Sequence, residues 1–442
     1  MASTYLTRTS VTPTNAQKGT ISLWVKRTGL SSTSKGRFFM NHLSSTSYGY
    51  TDFTGGDKLR CAIDDPSTVS IQTNRLFRDT SAWYHIVWSI DTTENTASDR
   101  VKLYVNGVQE TSFQVATYPN QNITLNLFNT SVSNGQVIGS YYTGSSYSGA
   151  FEGLISHYNF IDGTAYPASA FGETDTTTGQ WKINTSPSVT YGNNGFFILK
   201  DGNSVTDQSG NSNNFTVGGG TLTNTEDSPS TVFATLDALQ YKTSALTYSN
   251  GNTTVSFPGA WVFALSQWGV SSGKWYWEAK CNSGNNANSF YGICAEMVPA
   301  GNGFYNNSQN GAIMYKVGAG ETYIDGSYNS SGYSPSINNT DTVGLALDLD
   351  SATKTLKIYK NGSLLTSGGT INLSSYYNDT LVFPCFSGNS SSASCSFNVN
   401  FGNGVFGTTA VTSAGTAGST PGTFEYDVPS GYEPLSTKGL NA

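Results

Sequence analysis

Hydrophobic and polar residues alternate along two segments of the chain, and each segment ends in the same turn signal. Residues 83–105 lead into Asn106-Gly107, and residues 342–360 lead into Asn361-Gly362. Alternation with a period of two is typical of strands with one buried face. Asn-Gly between such runs favours a type I′ turn, because both central residues need a positive φ. The pattern predicts two β-hairpins, and their unlike flanking sequences predict two separate β-sandwich domains.

Short alternating segments recur along most of the chain and form two series, at residues 1–175 and 241–408. Residues 176–240 are rich in turn residues yet carry several aromatic side chains, so they predict an ordered connector packed on the sandwiches rather than a tether. Residues 409–442 also contain aromatic residues and predict a C-terminal segment that docks. The expected fold class is all-β, with two antiparallel, jelly-roll-like β-sandwich domains joined by an ordered, turn-rich connector.

Composition favours a folded chain of strands. The 442 residues include 48 Gly, 26 Tyr and 23 Phe, and only 12% are charged. Disordered chains are rich in charge and poor in aromatic residues, so this composition argues against disorder. The length exceeds what one hydrophobic core usually serves, which supports two domains.

Charge, hydropathy and cysteine spacing exclude several classes of protein. The net charge is −7 and no run of Lys or Arg occurs, so a nucleic-acid partner is not expected. No apolar stretch approaches the roughly 18 residues of a membrane span, and no signal peptide is evident at the N-terminus. The five cysteines contain no Cys-x-x-Cys pair, so we expect small buried side chains of them rather than disulfides or a metal site.

Particular segments resemble two known families of domain. The first half is similar to the laminin-G-like, concanavalin-A-like jelly-roll family at Gly19–Lys26, Trp83–Val87, Leu103–Gly107 and Phe151–Ile155. The second half is similar to a SPRY domain at Gly273–Glu278, Asp341–Asp348, Ile358–Gly362 and Phe397–Gly402. The two resemblances imply a lectin-like sandwich followed by a SPRY-like sandwich.

The joint arrangement resembles bacteriophage virion proteins. Four phrases carry this resemblance, at residues 161–173, 207–215, 227–235 and 428–435. It implies a non-enzymatic structural protein, made in the host cytoplasm and displayed on the virion surface in a tail fibre, tail or capsid decoration. The implied partners are other virion proteins, further copies of the same chain in a homo-oligomer, and a host-surface glycan or protein to which the virion adheres.

Two other functions stay open. One is a carbohydrate-active depolymerase, since glycoside hydrolysis needs only a pair of carboxylates in a cleft. The Glu-x-Asp-x-x-Glu triplet of jelly-roll glucanases is absent, and Asp348 with Asp350 is the nearest approximation; their place before a turn favours a structural role. The other is a cellular SPRY-type adaptor. His42, His85 and His157 lack ligand-like spacing, so we expect structural roles for them.

Aromatic residues in loops of the second domain are the predicted ligand-binding residues. Aromatic rings offer flat apolar faces with a polar edge, which suits the apolar side of a sugar ring. The alternative is that the tryptophans plug the end of the sandwich. The candidates are Trp261, Trp268, Tyr305, Tyr323 and Tyr328.

Calcium is the one cofactor that the laminin-G-like resemblance implies, because such domains often hold the ion at a loop rim. Its candidate ligands are Asp91, Asp99 and Asp162. The alternative is that these carboxylates lie in ordinary solvated loops.

Overall fold

The computed structural model describes residues 4–30, 37–44, 46–64, 69–128, 135–200, 205–239, 246–257, 262–283, 289–295, 312–317, 320–324, 327–331, 337–374, 381–388 and 395–441. The chain divides into two compact units, Met1–Thr223 and Asn224–Ala442. The connector predicted at residues 176–240 is therefore divided between the two units. Its strands at residues 196–198 and 216–219 pair with sheets of the first unit, which explains this assignment.

The first unit consists of strands and two short 3₁₀ turns, Ala97–Asp99 and Ala168–Ala170. The strands are β1 (Tyr5–Arg8), β2 (Lys18–Arg27), β3 (Arg37–Ser44), β4 (Ser47–Phe53), β5 (Lys58–Asp64), β6 (Val69–Leu76), β7 (Trp83–Asp91), β8 (Val101–Val105), β9 (Val108–Glu110), β10 (Phe113–Thr117), β11 (Gln136–Ile138), β12 (Tyr141–Tyr142), β13 (Tyr147–Ser148), β14 (Gly153–Asp162), β15 (Gly172–Thr174), β16 (Trp181–Ile183), β17 (Phe196–Ile198) and β18 (Thr216–Gly219).

Two large antiparallel sheets enclose the core of the first unit. One has the strand order β10-β6-β5-β4-β3-β11-β1-β18, and the other has the order β17-β14-β2-β7-β8-β9. Trp88, Phe39 and Phe160 are fully buried between them. The hairpins β12–β13 and β15–β16 stand apart from both sheets. Strand β8 shows why the alternation signal works, since Val101, Leu103 and Val105 are buried while the intervening residues are half-exposed.

The second unit has the same kind of architecture. Its strands are β19 (Thr247–Ser249), β20 (Thr254–Phe257), β21 (Val262–Leu265), β22 (Lys274–Ser283), β23 (Ser289–Cys294), β24 (Ile313–Lys316), β25 (Glu321–Ile324), β26 (Ser327–Ser331), β27 (Val343–Asp348), β28 (Thr355–Lys360), β29 (Ser363–Leu364), β30 (Thr370–Asn372), β31 (Phe383–Gly388), β32 (Cys395–Asn400), β33 (Val405–Phe406), β34 (Thr409–Ala410) and β35 (Glu433–Pro434). A 3₁₀ turn follows at Gly439–Asn441.

Two sheets also enclose the core of the second unit. Their strand orders are β19-β20-β32-β22-β27-β28-β29 and β21-β31-β23-β24-β25-β26; β30 pairs with β28, and β35 runs parallel to β22. Trp277, Phe397 and Leu345 lie in the core between them. The C-terminal segment packs on the outer face of the first of these sheets, where Phe424 is fully buried against Tyr276. The predicted all-β class with antiparallel sandwich domains is confirmed.

Both predicted hairpins are present with the expected turn conformation. The φ angles are 48° and 80° at Asn106-Gly107, and 48° and 77° at Asn361-Gly362. The five cysteines all lie in described residues, where they are buried and form no disulfide. Within the described residues, no helix reaches the length and hydrophobicity that a membrane crossing requires.

Candidate functional site

The outer face of the eight-stranded sheet carries polar and aromatic side chains in straight rows across β3 to β6. Arg37, Asp52, Arg60 and Gln72 are successive cross-strand partners, and we call them the polar row. Residues directly opposite in antiparallel strands project to the same side of the sheet, so these four side chains are neighbours on one face.

A second row lies beside the polar row and is more apolar. Met40, Tyr50, Ala62 and Ser70 are again successive cross-strand partners. The register shifts between Arg37 and Phe39, and this bulge lets both Arg37 and Met40 face outward although three positions separate them.

The hairpin β12–β13 adds aromatic side chains to this face. Tyr142 packs against the ring of Tyr147 with a centroid distance of 4.6 Å, and Tyr147 stacks on Tyr5 at 4.0 Å. The Tyr142 backbone N–H lies 3.4 Å from Met40 Sδ, which holds the hairpin over β3. Half-exposed rings are therefore concentrated on this side of the sheet. We call Tyr48, Tyr50, Tyr141, Tyr142 and Tyr147 the tyrosine cluster, and the cluster with the polar row the tyrosine–arginine face.

The guanidinium groups of the polar row are held in two different ways. Arg60 forms a fork with Asp52, with Nε 2.9 Å from Oδ1 and Nη2 2.6 Å from Oδ2. Arg37 instead contacts two rings, with its Cζ atom 3.7 Å from the centroid of Tyr50 and 3.8 Å from that of Tyr141. Burial lowers the pKa of Arg37 below its ordinary value, although Tyr50 and Asp52 oppose the shift.

His42 lies beneath the tyrosine cluster. Its imidazole is 3% exposed and meets the Tyr142 ring edge to face at 5.0 Å. Neither ring nitrogen has a hydrogen-bond partner among the described residues, and burial lowers the pKa of this histidine. His42 therefore packs under the hairpin. His157 lies at the irregularity in β14 with a φ of 48°, and its Nδ1 is 2.7 Å from Ser156 Oγ.

A serine–histidine pair in the other sheet of the first unit resembles a catalytic nucleophile and its general base. Ser22 Oγ lies 2.9 Å from His85 Nε2, and Trp181 Nε1 lies 2.9 Å from His85 Nδ1. An indole N–H can only donate, so Nδ1 accepts and Nε2 carries the proton. His85 therefore donates to Ser22 and cannot take its proton. Burial also lowers the pKa of His85 to about 3.

Glu278 in β22 is a carboxyl group in an unusual environment. It is fully buried, and burial raises its pKa to about 7. Its carboxylate accepts the backbone N–H groups of Glu425 at 2.8 Å and Tyr426 at 3.0 Å. The C-terminal segment thus covers Glu278, which leaves no space for a substrate at this carboxyl.

Asp348 and Asp350, the nearest approximation to a catalytic carboxylate pair, stabilise the turn after β27. Asp348 accepts the Ser351 N–H and hydroxyl at 2.9 and 2.7 Å and pairs with Lys274 at 3.0 Å. Burial acts to raise the pKa of Asp348, but these hydrogen bonds and the lysine outweigh it and lower the pKa. Asp350 accepts the Gly273 N–H at 2.7 Å.

The structure places the predicted aromatic ligand-binding residues in different environments. Trp268 is half-buried against the core of the second unit. Tyr323 is 4% exposed and packs edge to face on Phe290, so its ring is a packing element here. Tyr328 lies on β26 opposite Tyr323. Trp261 and Tyr305 lie outside the described residues.

The three candidate calcium ligands lie apart in different local arrangements. Asp91 pairs with Lys18 at 2.8 Å, and Asp99 pairs with Lys102 at 3.2 Å. Asp162 accepts the backbone N–H groups of Thr14 and Asn194 at 2.7 and 3.0 Å. Across the described part of the chain, no group of three or more His, Cys, Asp or Glu residues is arranged to hold a metal ion.

Sequence reasoning missed the tyrosine–arginine face, although one signal for it was present. In β4, the residues Tyr48, Tyr50 and Asp52 occupy alternate positions, which puts two aromatic rings and a carboxylate on one side of a single strand. The partners on β3, β5 and the β12–β13 hairpin depend on sheet order and register, which no local pattern reveals.

Comparison with known families agrees with this architecture. Residues 2–168 match the Laminin_G_3 family of the concanavalin A-like lectin/glucanases superfamily, and residues 274–404 match the SPRY domain family. The chain therefore carries a laminin-G-like domain and a SPRY domain, and domains of these kinds indicate a binding or adhesion role. No curated protein shows a significant sequence match.

Solved structures with similarity to the chain include SPRY domains and a pentraxin. The SPRY domain of human HERC1 is 18% identical, with 37% of this chain and 96% of that chain covered and a TM-score of 0.30. The TRIM65 PSpry domain is 15% identical, with 38% of this chain and 91% of that chain covered and a TM-score of 0.29. The heptameric SAP-like pentraxin from Limulus polyphemus is 15% identical, with 37% of this chain and 71% of that chain covered and a TM-score of 0.27.

Proposed function

We propose that this protein is a non-enzymatic binding protein displayed on the surface of a bacteriophage virion, where it adheres to a glycan of the host surface through the tyrosine–arginine face. Its place would be a tail fibre, the tail or a capsid decoration, where it assembles with other virion proteins and with further copies of itself. The virion setting rests on the resemblance of residues 161–173, 207–215, 227–235 and 428–435 to phage phrases.

The observation that carries the adhesion proposal is the chemistry of that sheet face. Sugars are bound by aromatic rings, which cover the apolar side of a pyranose, together with a few polar groups that bond its hydroxyls. The face offers half-exposed Tyr48 and Tyr141 rings around Arg37, and Arg60 and Gln72 lie in the same polar row as Arg37. Both the apolar and the polar requirement are met on one surface of a sheet whose backbone is rigidly paired.

The buried groups support a binding protein over an enzyme. His85 holds its proton toward Ser22, Glu278 lies under the C-terminal segment, and Asp348 is committed to a turn. None of these groups stands in a cleft with a second free carboxylate, which glycoside hydrolysis requires.

Glycan binding and host adsorption test the adhesion proposal. We expect Tyr141→Ala to weaken binding of the full chain to host polysaccharide at least tenfold, because the ring that stacks on the sugar is removed. The matched control is Tyr104→Ala, a half-buried tyrosine on the other sheet of the unit. Equal binding by both variants at equal thermal stability contradicts the proposal, and release of reducing ends from the polysaccharide supports a depolymerase instead.

Mass spectrometry of purified particles tests the virion setting. We expect the chain among the particle proteins, at a low copy number for a tail fibre and at a number comparable with the capsid subunits for a decoration protein. Its absence from particles, together with recovery in a soluble complex of the host cell, points to an adaptor of the SPRY type.

A further inference from the structure

Arg37 is a partly buried cation that has no carboxylate of its own, although the charge of its cross-strand partner Asp52 acts on it. Four other arginines of the first unit pair with carboxylates: Arg27 and Arg78 with Asp57, Arg60 with Asp52, and Arg75 with Glu110. Arg8 and Arg100 instead donate to amide and carbonyl oxygens. No ion pair of Arg37 occurs within the described residues. Its only hydrogen-bonding contacts there are with the Tyr50 side chain and with Met40 Sδ at 3.5 Å.

The two tyrosine rings orient this guanidinium group. The Arg37 Cζ atom lies over both the Tyr50 and the Tyr141 ring, 3.7 and 3.8 Å from their centroids. A cation over aromatic rings is stabilised by their quadrupoles, while its N–H groups point outward from the edge of the guanidinium plane. Among the described residues, the Tyr50 side chain and Met40 Sδ are the acceptors at this edge, and neither is an anion. A planar fork of N–H donors held in this way matches the oxygen pair of a carboxylate, sulfate or phosphate group.

Asp52, the nearest carboxylate in the row, cannot serve as the missing partner in this arrangement. Both of its oxygens are engaged by Arg60, at 2.9 and 2.6 Å. Two guanidinium groups and one carboxylate leave an excess of one positive charge on the polar row, on a chain whose net charge is −7. This excess belongs to the polar row alone, since on the same face Asp64 is the cross-strand partner of Tyr48.

We infer that the tyrosine–arginine face binds an anionic polysaccharide, in which the acid group of one sugar meets the edge of Arg37 while sugar rings lie on the tyrosine cluster. The inference rests on the proposed glycan adhesion and specifies the class of glycan. A carboxylate from a uronic acid and an ester sulfate can each present two oxygens to the N–H groups of a guanidinium, so both are candidates for the acid group.

Matched pairs of polymers test the charge requirement. Binding of the full chain is measured by calorimetry to oligogalacturonate and to the same oligomer with its carboxyl groups reduced, and in parallel to dextran sulfate and dextran. We expect at least tenfold tighter binding to one of the two acidic forms than to its neutral counterpart. The preference should shrink as NaCl is added, because mobile ions screen an exposed charge pair.

Variants assign the preference to Arg37. We expect Arg37→Gln to remove the preference for the acidic polymer, and Arg37→Lys to weaken acidic binding at least threefold, since the charge stays but the planar fork is lost. Lys102→Gln removes the same charge from the other sheet and should leave the preference unchanged. If Arg37→Gln fails to fold, Arg37→Lys decides the question.

The outcomes separate the inference from the proposed function. Equal affinity for acidic and neutral forms, or a preference that survives in both Arg37 variants, overturns the inference while glycan adhesion stands. Absence of binding to every polymer and to host polysaccharide overturns the adhesion proposal itself.

Discussion

The two Asn-Gly hairpins of this chain use the same local contacts but are covered by different parts of the fold. In the first unit, Asn106 donates its N–H to the His85 carbonyl at 2.9 Å, and its Oδ1 accepts the His85 N–H at 2.8 Å. In the second unit, Asn361 makes the same two bonds with Thr342, at 2.9 and 2.8 Å. Each asparagine thus pins its turn to the start of the neighbouring strand.

The covers of the two turns differ. Trp181, from the β15–β16 hairpin, lies over Gly107, whereas Tyr426, from the C-terminal segment, lies over Gly362. Each cover is anchored on a buried titratable group. Trp181 donates to His85 Nδ1, and the Tyr426 backbone N–H donates to Glu278. The conformation of each turn therefore depends on four or five consecutive residues, whereas the side chain that covers it comes from a distant segment of the chain.

The largest expected effect on stability comes from adding a methyl group to the glycine that lies under each covering side chain. A Cβ at Gly107 would enter the Trp181 ring, and a Cβ at Gly362 would lie 2.7 Å from the Tyr426 ring, with positive φ at both sites. We expect Gly107→Ala and Gly362→Ala to lower the free energy of unfolding by about 3 kcal/mol, part from the left-handed backbone and part from overpacking. Denaturant titration of the full chain measures the loss.

Two other glycines provide the control for this prediction. Gly179 and Gly431 also have positive φ, at 71° and 80°, but nothing lies within 4 Å of a Cβ at either position. Their alanine variants should lose only the backbone part, about 1 kcal/mol. A loss at Gly107 equal to that at Gly179 contradicts a steric role for Trp181.

The next largest effect is on the pH dependence of stability, which we expect to have opposite signs in the two units. The folded-state pKa of His85, about 3, lies below its ordinary 6.5. Its contribution to stability is therefore present above pH 6.5 and is lost as the pH falls toward 3. The folded-state pKa of Glu278, about 7, lies above its ordinary 4.5. Its contribution is present below pH 4.5 and is lost as the pH rises through 7.

Hydrogen exchange can resolve these two responses, because the amides of β7 and β22 report on separate units. Between pH 7.5 and 4.5 we expect His85 to remove, and Glu278 to add, about 3 kcal/mol of protection to its own unit. The variants His85→Gln and Glu278→Gln should each cancel the corresponding change. A wild-type chain whose pH response matches both variants rules out these two groups as its source.

The smallest effect distinguishes the two asparagines. Asn361 also donates its Nδ2 to Asp341 at 2.7 Å, and no such carboxylate partner is found for Asn106 among the described residues. We expect Asn361→Asp to lose about 1–2 kcal/mol, since two carboxylates then face each other, and Asn106→Asp to lose less than about 0.5 kcal/mol, since the acceptor is kept. Thermal unfolding of the two variants at neutral pH makes the comparison. Equal losses mean that Asp341 plays no part.

Much of the fold follows from local patterns. The hairpins at residues 83–110 and 342–364, and the strands of alternating burial such as β8, are readable because one face of each strand meets the core and the other does not. Strand β2 is buried on both faces, with Leu23 in the core and Trp24 on the opposite side, so its alternation carries little information. The local patterns also did not predict the boundary at residue 223, because β17 and β18 are short and join their sheets by pairing with strands far away in the sequence.

The candidate site was less accessible to sequence reasoning. The aromatic loops predicted to bind a ligand were chosen for composition, and one member, Tyr323, is buried at a strand position instead. The tyrosine–arginine face draws on β3, β4, β5, β6 and the β12–β13 hairpin. Its composition depends on which residues of these strands are opposite each other, and a bulge of one residue after Arg37 changes that register.

The sequence by itself determined the two Asn-Gly turns and the all-β class, because turn geometry and alternation depend on neighbours a few positions away. The two kinds of domain followed from the resemblance of particular segments to known families. Only the tertiary structure decided what lies over each turn, which titratable groups are buried under the covers, and which side chains form the polar row. Those features depend on contacts between residues far apart in the chain, and it is these contacts that remove water from His85, Glu278 and Arg37 and so give each group its chemical character.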